Sequence, residues 1–303
     1  MKNLNRFHLN GLRAVEAVGR LGSLSAAADE LGVTPGAISQ HIQKAEEQLG
    51  RALFDRSGRG LHLTPLGSDV MPHFTAAMKE LSAGVAMLTE SRDDPLVVSV
   101  PPVFASKWLV WRLSAFNETY PTIKVRVDAS MDMVDMATSD VDVCVRVKRR
   151  ESPLDPGGAR SSKLMDQYIY PVCSLALAER LASPADLKDV PIVRDRLAMF
   201  NWNEWFLDGE LTDDDLTTGL TFSDASLCLD STIAGQGVFL AWETLACDAL
   251  AAGRLAEPFR RRAKTGISYW LLERRHSLKA RSIDRFTGWL KEELSQSLGR
   301  PVG

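Results

Sequence analysis

Residues 34–44 read TPGAISQHIQK. Within them Ser39, Gln40, Gln43 and Lys44 fall at the i, i+1, i+4, i+5 spacing that gathers side chains on one helical face. A hydroxyl, two amides and an ammonium form hydrogen bonds but make no covalent chemistry. Pro35 and Gly36, at the leading end, are small enough to let backbone approach a flat partner. That set suits base edges in a DNA major groove, where a Gln amide can engage adenine with two bonds. Behind it, Ile38, Ile42, Ala45 and Leu49 repeat every three or four residues, the apolar side of the same helix. Thr34 caps this helix, and Pro35 sits at its first position, where a missing N–H costs nothing.

The preceding LSAAADEL places Leu24, Ala27, Ala28 and Leu31 on one face of a short helix, which Gly32 and Val33 end. The pair predicts a helix-turn-helix whose second member is the reader. Behind it, LFDRSGRGLHLT predicts a basic hairpin, or wing. Arg56 and Arg59 stand near its tip, able to hold a phosphate or enter a minor groove. Thr64 and Pro65 then repeat the Thr-Pro start, and a helix is expected to about Ser91. Its seam of Leu66, Val70, Phe74, Ala77, Leu81, Val85 and Leu88 is narrow. A rod of roughly 40 Å exceeds what a small winged domain can cover, so the seam predicts antiparallel dimerisation. Pro72 is expected to bend the rod near Ser68 or Asp69.

Overall charge is −3, but residues 1–67 carry +2 and the remainder −5. Phosphate attraction must therefore come from local placement of Lys44, Arg51, Arg56 and Arg59. His41 and His62 lie in the same region, as surface groups or phosphate donors. MKNLNRFHLNGLRAVEAV lacks the apolar core of an export signal, and no window holds 18 uninterrupted apolar residues. These features predict a cytoplasmic protein with no membrane partner. Cys144, Cys173, Cys228 and Cys247 are widely spaced and form no CxxC pair, so they read as buried reduced thiols and no metal site is expected. Neither GxSxG, HExxH, a P-loop nor GxGxxG occurs in a fitting context. No enzymatic activity and no cofactor are expected.

From Leu96 the pattern becomes α/β. LVVSV, IKVRVDASM and VDVCVRV read as strands, with FASKWLVWRLSAFNETYP as a helix between the first two. A second unit begins near Tyr168, with YIYPVCS, PIVRD, LTFSDAS and GVFLAW as strands and SLALAERLA and SLCLDSTIA as helices. SYWLLERR and a helix from Ile283 to Leu298 return to the first. Two lobes joined by two crossing segments make a clamp with a ligand between them. Strand ends facing helix starts favour anions, and Ser99, Val103 and Ser106 mark the first such end. Arg146, inside an apolar strand, needs a carboxylate, supplied either by a ligand or by the protein through a neighbour such as Asp142.

Taken together, LNGLRAVEAVGRLGSLSAAADELGVTPGAISQHIQKAEEQLG and RALFDRSGRGLHLTPLG resemble the winged helix-turn-helix of the LysR-type transcriptional regulators. SVPPVFASKWLVWRLSAFNETYP, VDVCVRV, AGQGVFLA and LAAGRLAEPF resemble the branch of the glycine-cleavage and beta-lactamase activators. The resemblance implies an α/β fold with an N-terminal all-α winged helix-turn-helix, a long linker helix and a two-lobed periplasmic-binding-protein-like effector domain. Boundaries follow at 1–64, 65–91 and 92–303, with lobe I over about 92–167 and 268–303 and lobe II over about 168–267. The implied partners are double-stranded promoter DNA, a small anionic effector (a carboxylate or amino-acid-like molecule), further copies of the chain as homodimer or homotetramer, and RNA polymerase. The DNA-facing residues are Ser25, Thr34, Pro35, Gly36, Ser39, Gln40, Gln43, Lys44, Arg56 and Arg59. For the effector, the family's cleft carries over to Ser99, Phe104, Ser130 and Arg146, with Phe200 and Trp202 closing from the other lobe. A redox-sensing regulator using cysteine is the alternative within this fold. A solute-binding protein would carry an export signal and no winged front end, and an enzyme would need a nucleophile–base pair or metal cluster.

Overall fold

The computed structural model describes residues 7–55, 61–89, 91, 94–149 and 159–302. Contacts divide the chain between residues 89 and 90 into two compact units.

The first unit is built on helices α1 (Leu9–Leu21), α2 (Leu24–Leu31) and α3 (Pro35–Leu49). A short antiparallel pair follows, β1 (Phe54–Asp55) and β2 (His62–Leu63), then the long helix α4 (Pro65–Thr89). Sequence periodicity had not isolated α1, yet it supplies Ala14, Val15, Ala17 and Val18 to a core shared with Ala27, Ala28, Ile38, Ile42 and Ala45. Each of the three helices ends on a left-handed glycine, Gly22, Gly32 or Gly50. Ser23 accepts the Ala26 N–H at 3.3 Å and starts α2 directly after Gly22, the glycine that ends α1. The carboxylate of Glu46 near the end of α3 accepts the N–H groups of Leu53 (2.7 Å) and Phe54 (2.9 Å), which fixes where the wing departs. At the start of α4 a Cβ on Gly67 would lie 2.2 Å from the Leu53 carbonyl oxygen, so only glycine fits. Buried Glu16 accepts from Arg20 (2.8 Å) and Thr75 (3.0 Å), pinning α1 to α4. Pro72 lies inside α4 without ending it. On α4, Met71 is buried against the core, whereas Leu66, Leu81, Val85 and Leu88 are exposed, Leu88 at 86%.

The second unit carries one eight-stranded mixed sheet. β3 (Leu96–Val100), β4 (Val125–Ala129) and β5 (Val143–Arg149) form its first end. β6 (Ala159–Val172) crosses to β7 (Ile192–Asp195), β8 (Thr218–Phe222) and β9 (Val238–Trp242), and β10 (Ala263–Arg274) returns, giving the order β4-β3-β5-β10-β6-β9-β7-β8. β6 and β10 are the two crossing segments. Ile267–Glu273 of β10 pair with β5, while Ile169–Val172 of β6 pair with β9. Apolar cores flank this sheet at both ends. One joins Val98, Val143 and Leu271 to Phe116, Phe286 and Leu290. Another joins Ile169, Ile192 and Leu240 to Trp202 and Trp205.

The single helix expected over FASKWLVWRLSAFNETYP is interrupted. α5 (Pro102–Phe104) runs into a π turn (Ala105–Leu109), and α6 (Leu113–Thr119) starts afresh. Trp108 explains the wider turn, being fully buried with its indole N–H on Ser297 at 3.2 Å. α7 is only Leu175–Ala178, shorter than SLALAERLA suggested. α8 (Ala225–Ile233), α9 (Glu243–Ala251) and α10 (Ala280–Leu298) complete the unit. Lys107–Asp230 (2.8 Å) and Arg112–Asp248 (2.6 Å) tie the α5–α6 segment to α8 and α9.

Candidate DNA-reading surface and effector cavity

Helix α3 owes its start to Thr34, whose hydroxyl accepts the Ala37 N–H at 3.2 Å, and to Pro35 behind it. The cap is worth about 1 kcal/mol. Ile38, Ile42 and Ala45 are buried, which fixes the rotation of the helix and turns Pro35, Gly36, Gln40, Gln43 and Lys44 to the outside, with Ser39 half-exposed beside them. Thr34 and Ser25 of α2 are exposed as well. The Gln43 amide donates to Glu47 at 3.0 Å, so it is partly occupied within its own helix, whereas among the described residues no side-chain bond occupies Gln40. Arg56 and Arg59 lie outside the described residues. The described part of the hairpin is the Phe54↔Leu63 and Asp55↔His62 pairs.

In the second unit a cavity of about 220 Å³ opens beside the sheet. Phe104 and Met131 line it from one end of the sheet, Phe200 and Trp242 from the other. Tyr269 and Gln167 contribute from the crossing strands, and Asp195 and Asp224 are the charged members. Phe200 and Trp242 meet edge to face at 5.8 Å. Of the six effector residues expected from sequence, Phe104 and Phe200 line this cavity and four do not.

Ser99 and Arg146 are both 2% exposed and bind each other beneath the surface. The Arg146 guanidinium donates to the Asp132 carbonyl through Nε (2.8 Å) and Nη2 (2.6 Å). Nη1 reaches the carbonyls of Ser99 (3.1 Å) and Val145 (2.8 Å), and Nη2 also the Ser99 hydroxyl (2.8 Å). With every donor used on chain oxygens, none remains for a ligand carboxylate. Asp142 is not its partner either: it accepts from Lys279 at 2.6 Å and from the Val97 N–H at 2.9 Å. Arg146 is a positioning residue. It joins the ends of β3 and β5 to the loop carrying Met131, a cavity wall. Ser130 closes that loop locally, its hydroxyl donating to the Asp132 carboxylate (3.1 Å) and accepting the Asp132 N–H (3.0 Å). Trp202 is a core residue, 6.0 Å from Trp205 and stacked on Phe206 at 5.8 Å.

Sequence reasoning missed Asp195 and Asp224. Asp224 accepts the Ser226 N–H at 2.7 Å and caps α8, a role the Asp-Ala-Ser run could have signalled. Asp195 accepts the Leu197 N–H at 2.9 Å. Burial raises its carboxyl above the ordinary range, and the nearby charge of Asp224 adds to the rise. Burial also pushes up all four thiols, Cys144 and Cys173 to about 11 and Cys228 and Cys247 to about 12. None forms a disulfide.

Comparison with known proteins agrees with both halves. Residues 9–68 match the model of the bacterial regulatory helix-turn-helix protein, lysR family, and residues 89–295 match the LysR substrate binding domain. The HTH-type transcriptional regulator PerR of Escherichia coli K12 is 33% identical over 97% of this chain and 98% of its own length. The glycine cleavage system transcriptional activator of the same strain is 34% identical over 93% of this chain and 92% of its own. Among solved structures, the effector domain of the regulator AmpR of Pseudomonas aeruginosa covers 68% of this chain and 98% of its own, with a TM-score of 0.54 at 27% identity. With both halves matched by the family's models and relatives of 33–34% identity spanning nearly the whole chain, the chain belongs to the LysR family of transcriptional regulators, among relatives that include the glycine-cleavage activator and AmpR.

Proposed function

We propose that the outer face of α3 reads base edges in promoter DNA, and that a small molecule in the cavity of the second unit adjusts which promoter geometry a dimer can hold. The observation that carries the reading is the split of α3: Ile38, Ile42 and Ala45 buried, Pro35, Gly36, Gln40 and Lys44 turned out. Ser39 and Gln40 are the base-reading side chains, with Gln43 released from Glu47 on binding. Ser25, Thr34 and Lys44 serve phosphates, and Arg56 and Arg59 of the wing add backbone or minor-groove contacts. The exposed end of the α4 seam joins two copies, as a dimer or a pair of dimers, and spaces the reading helices. Functional boundaries follow at 1–64, 65–91 and 92–303, the last split into lobes I and II on either side of the crossing strands.

A reader of chromosomal promoters works in the cytoplasm beside RNA polymerase, and the role needs no bond-making chemistry. The test is a substitution series read by fluorescence anisotropy on promoter and shuffled duplexes. Gln40→Ala narrows the gap between them by about 1–3 kcal/mol. Lys44→Ala weakens both alike and lowers the salt slope by about 1. Unchanged discrimination in Gln40→Ala and Ser39→Ala variants alike would remove α3 from the reading role.

A further inference from the structure

The lining of the cavity selects a charge. Its walls are apolar and aromatic, chiefly Phe104, Met131, Phe200 and Trp242. Its polar floor is partly taken up by the protein: the Tyr269 hydroxyl lies 3.1 Å from Thr244 Oγ1, and the Gln167 side-chain oxygen accepts from the Thr265 hydroxyl. The charged groups of the lining are Asp195 and Asp224. Each spends one oxygen on a backbone N–H, of Leu197 and Ser226 respectively, and neither meets a cationic side chain among the described residues.

The routes for holding an anion are few. At the start of α5 the chain places Pro101 and Pro102, which have no N–H to offer, so that short helix leaves only the N–H groups of Val103 and Phe104. The start of α8 is already capped by the Asp224 carboxylate. Arg146 has spent its donors internally. Arg149, which is not part of the lining, donates to the carbonyl of the lining residue Met199 and lies 3.3 Å from the Glu204 carboxylate. Two half-buried carboxylates with no counter-charge repel each other and would repel an anionic guest, whereas a cation between them offsets both. Aromatic faces add to the attraction for a cation.

We propose that the effector of this cavity is a small amphiphilic cation: a protonated amine or a guanidinium held by Asp195 and Asp224, on an apolar body packed against Phe200 and Trp242. This rests on the reading of the cavity as the effector site and replaces the anion expected from sequence with its opposite.

Three probes of matched body separate the classes: 2-phenylethylammonium, 2-phenylethanol and 3-phenylpropionate, titrated calorimetrically into the full chain. The ammonium should bind at least about tenfold tighter than the carboxylate, with the alcohol between them. Asp195→Asn and Asp224→Asn keep the oxygen that accepts the backbone N–H. Each should weaken the ammonium about tenfold while changing the alcohol less than about twofold. Tryptophan-monitored unfolding verifies that each variant is folded. The proposal is overturned if the carboxylate binds as tightly as the ammonium, if the ammonium does not bind by about 10 mM, or if both variants hold it within twofold of the parent. Promoter discrimination by the parent chain in the same buffer keeps the two readings apart. Its loss contradicts the regulator, whereas an inverted probe ranking with discrimination intact contradicts only the ligand class.

Discussion

Arg146 shows how far a single residue type can be read. Its presence in an apolar strand required compensation, and the sequence offered a carboxylate from ligand or protein. The actual compensation is three backbone carbonyls and a hydroxyl, supplied by β3, by β5 itself and by the loop at Asp132. No local pattern announces such a cage. Arg146→Met should leave the carbonyls of Asp132 and Ser99 unpaired and lower the stability of the second unit by about 3 kcal/mol, or roughly 10 °C in Tm. All seven tryptophans lie after residue 89, so their fluorescence follows that unit alone. A change under about 1 kcal/mol would contradict the cage. The thiols carry a prediction of opposite origin, from burial. Because their folded values stand above the ordinary value of 9, the unfolded chain loses protons first as pH rises, and stability present below about pH 9 drains away toward 11 or 12. The urea midpoint should therefore fall between pH 8 and pH 10, and dithionitrobenzoate should label the native chain far more slowly than the unfolded one. A single fast thiol would revive a redox role.

At the scale of elements, α2, α3 and the wing strands were legible because their apolar period, caps and glycines agree with one another. The π turn before α6 was not, since it answers to the burial of Trp108 beneath α10, a contact across 189 residues. β6 was recognised only from Tyr168, because Ala159–Gln167 carry mostly polar residues whose pairing with β10 is set by the partner strand. α1 escaped notice, although its face packs the reader. Gly67→Ala would push a methyl into the Leu53 carbonyl. It should reduce promoter affinity by distorting the exit of the wing while tryptophan-monitored unfolding of the second unit stays unchanged. A normal affinity would show that the β1–α4 junction can yield. Further along α4, Leu81, Val85 and Leu88 face solvent in a single chain. Val85→Glu should shift sedimentation toward monomer and weaken promoter binding by about 10–100-fold through lost effective concentration; an unchanged oligomer would place the interface elsewhere.

For the whole molecule, the division of labour follows from charge and burial. Net positive charge is confined to the first unit, the remainder is acidic, and the cavity itself carries two carboxylates that meet no cationic side chain among the described residues. The helix-turn-helix at residues 24–49 could be inferred because local rules govern it. The charged lining of the cavity could not, since Asp195 and Asp224 are brought together by the pairing of β7 with β8, where Asp195 stands opposite Phe222. Direct proof of the central claim is an anisotropy titration of the full chain on its own promoter and on a shuffled duplex of equal length, at several salt concentrations. The account predicts tighter binding to the promoter by about 10³-fold or more at physiological salt, with both affinities falling as salt rises. Equal affinity for the two duplexes throughout the salt series would contradict it.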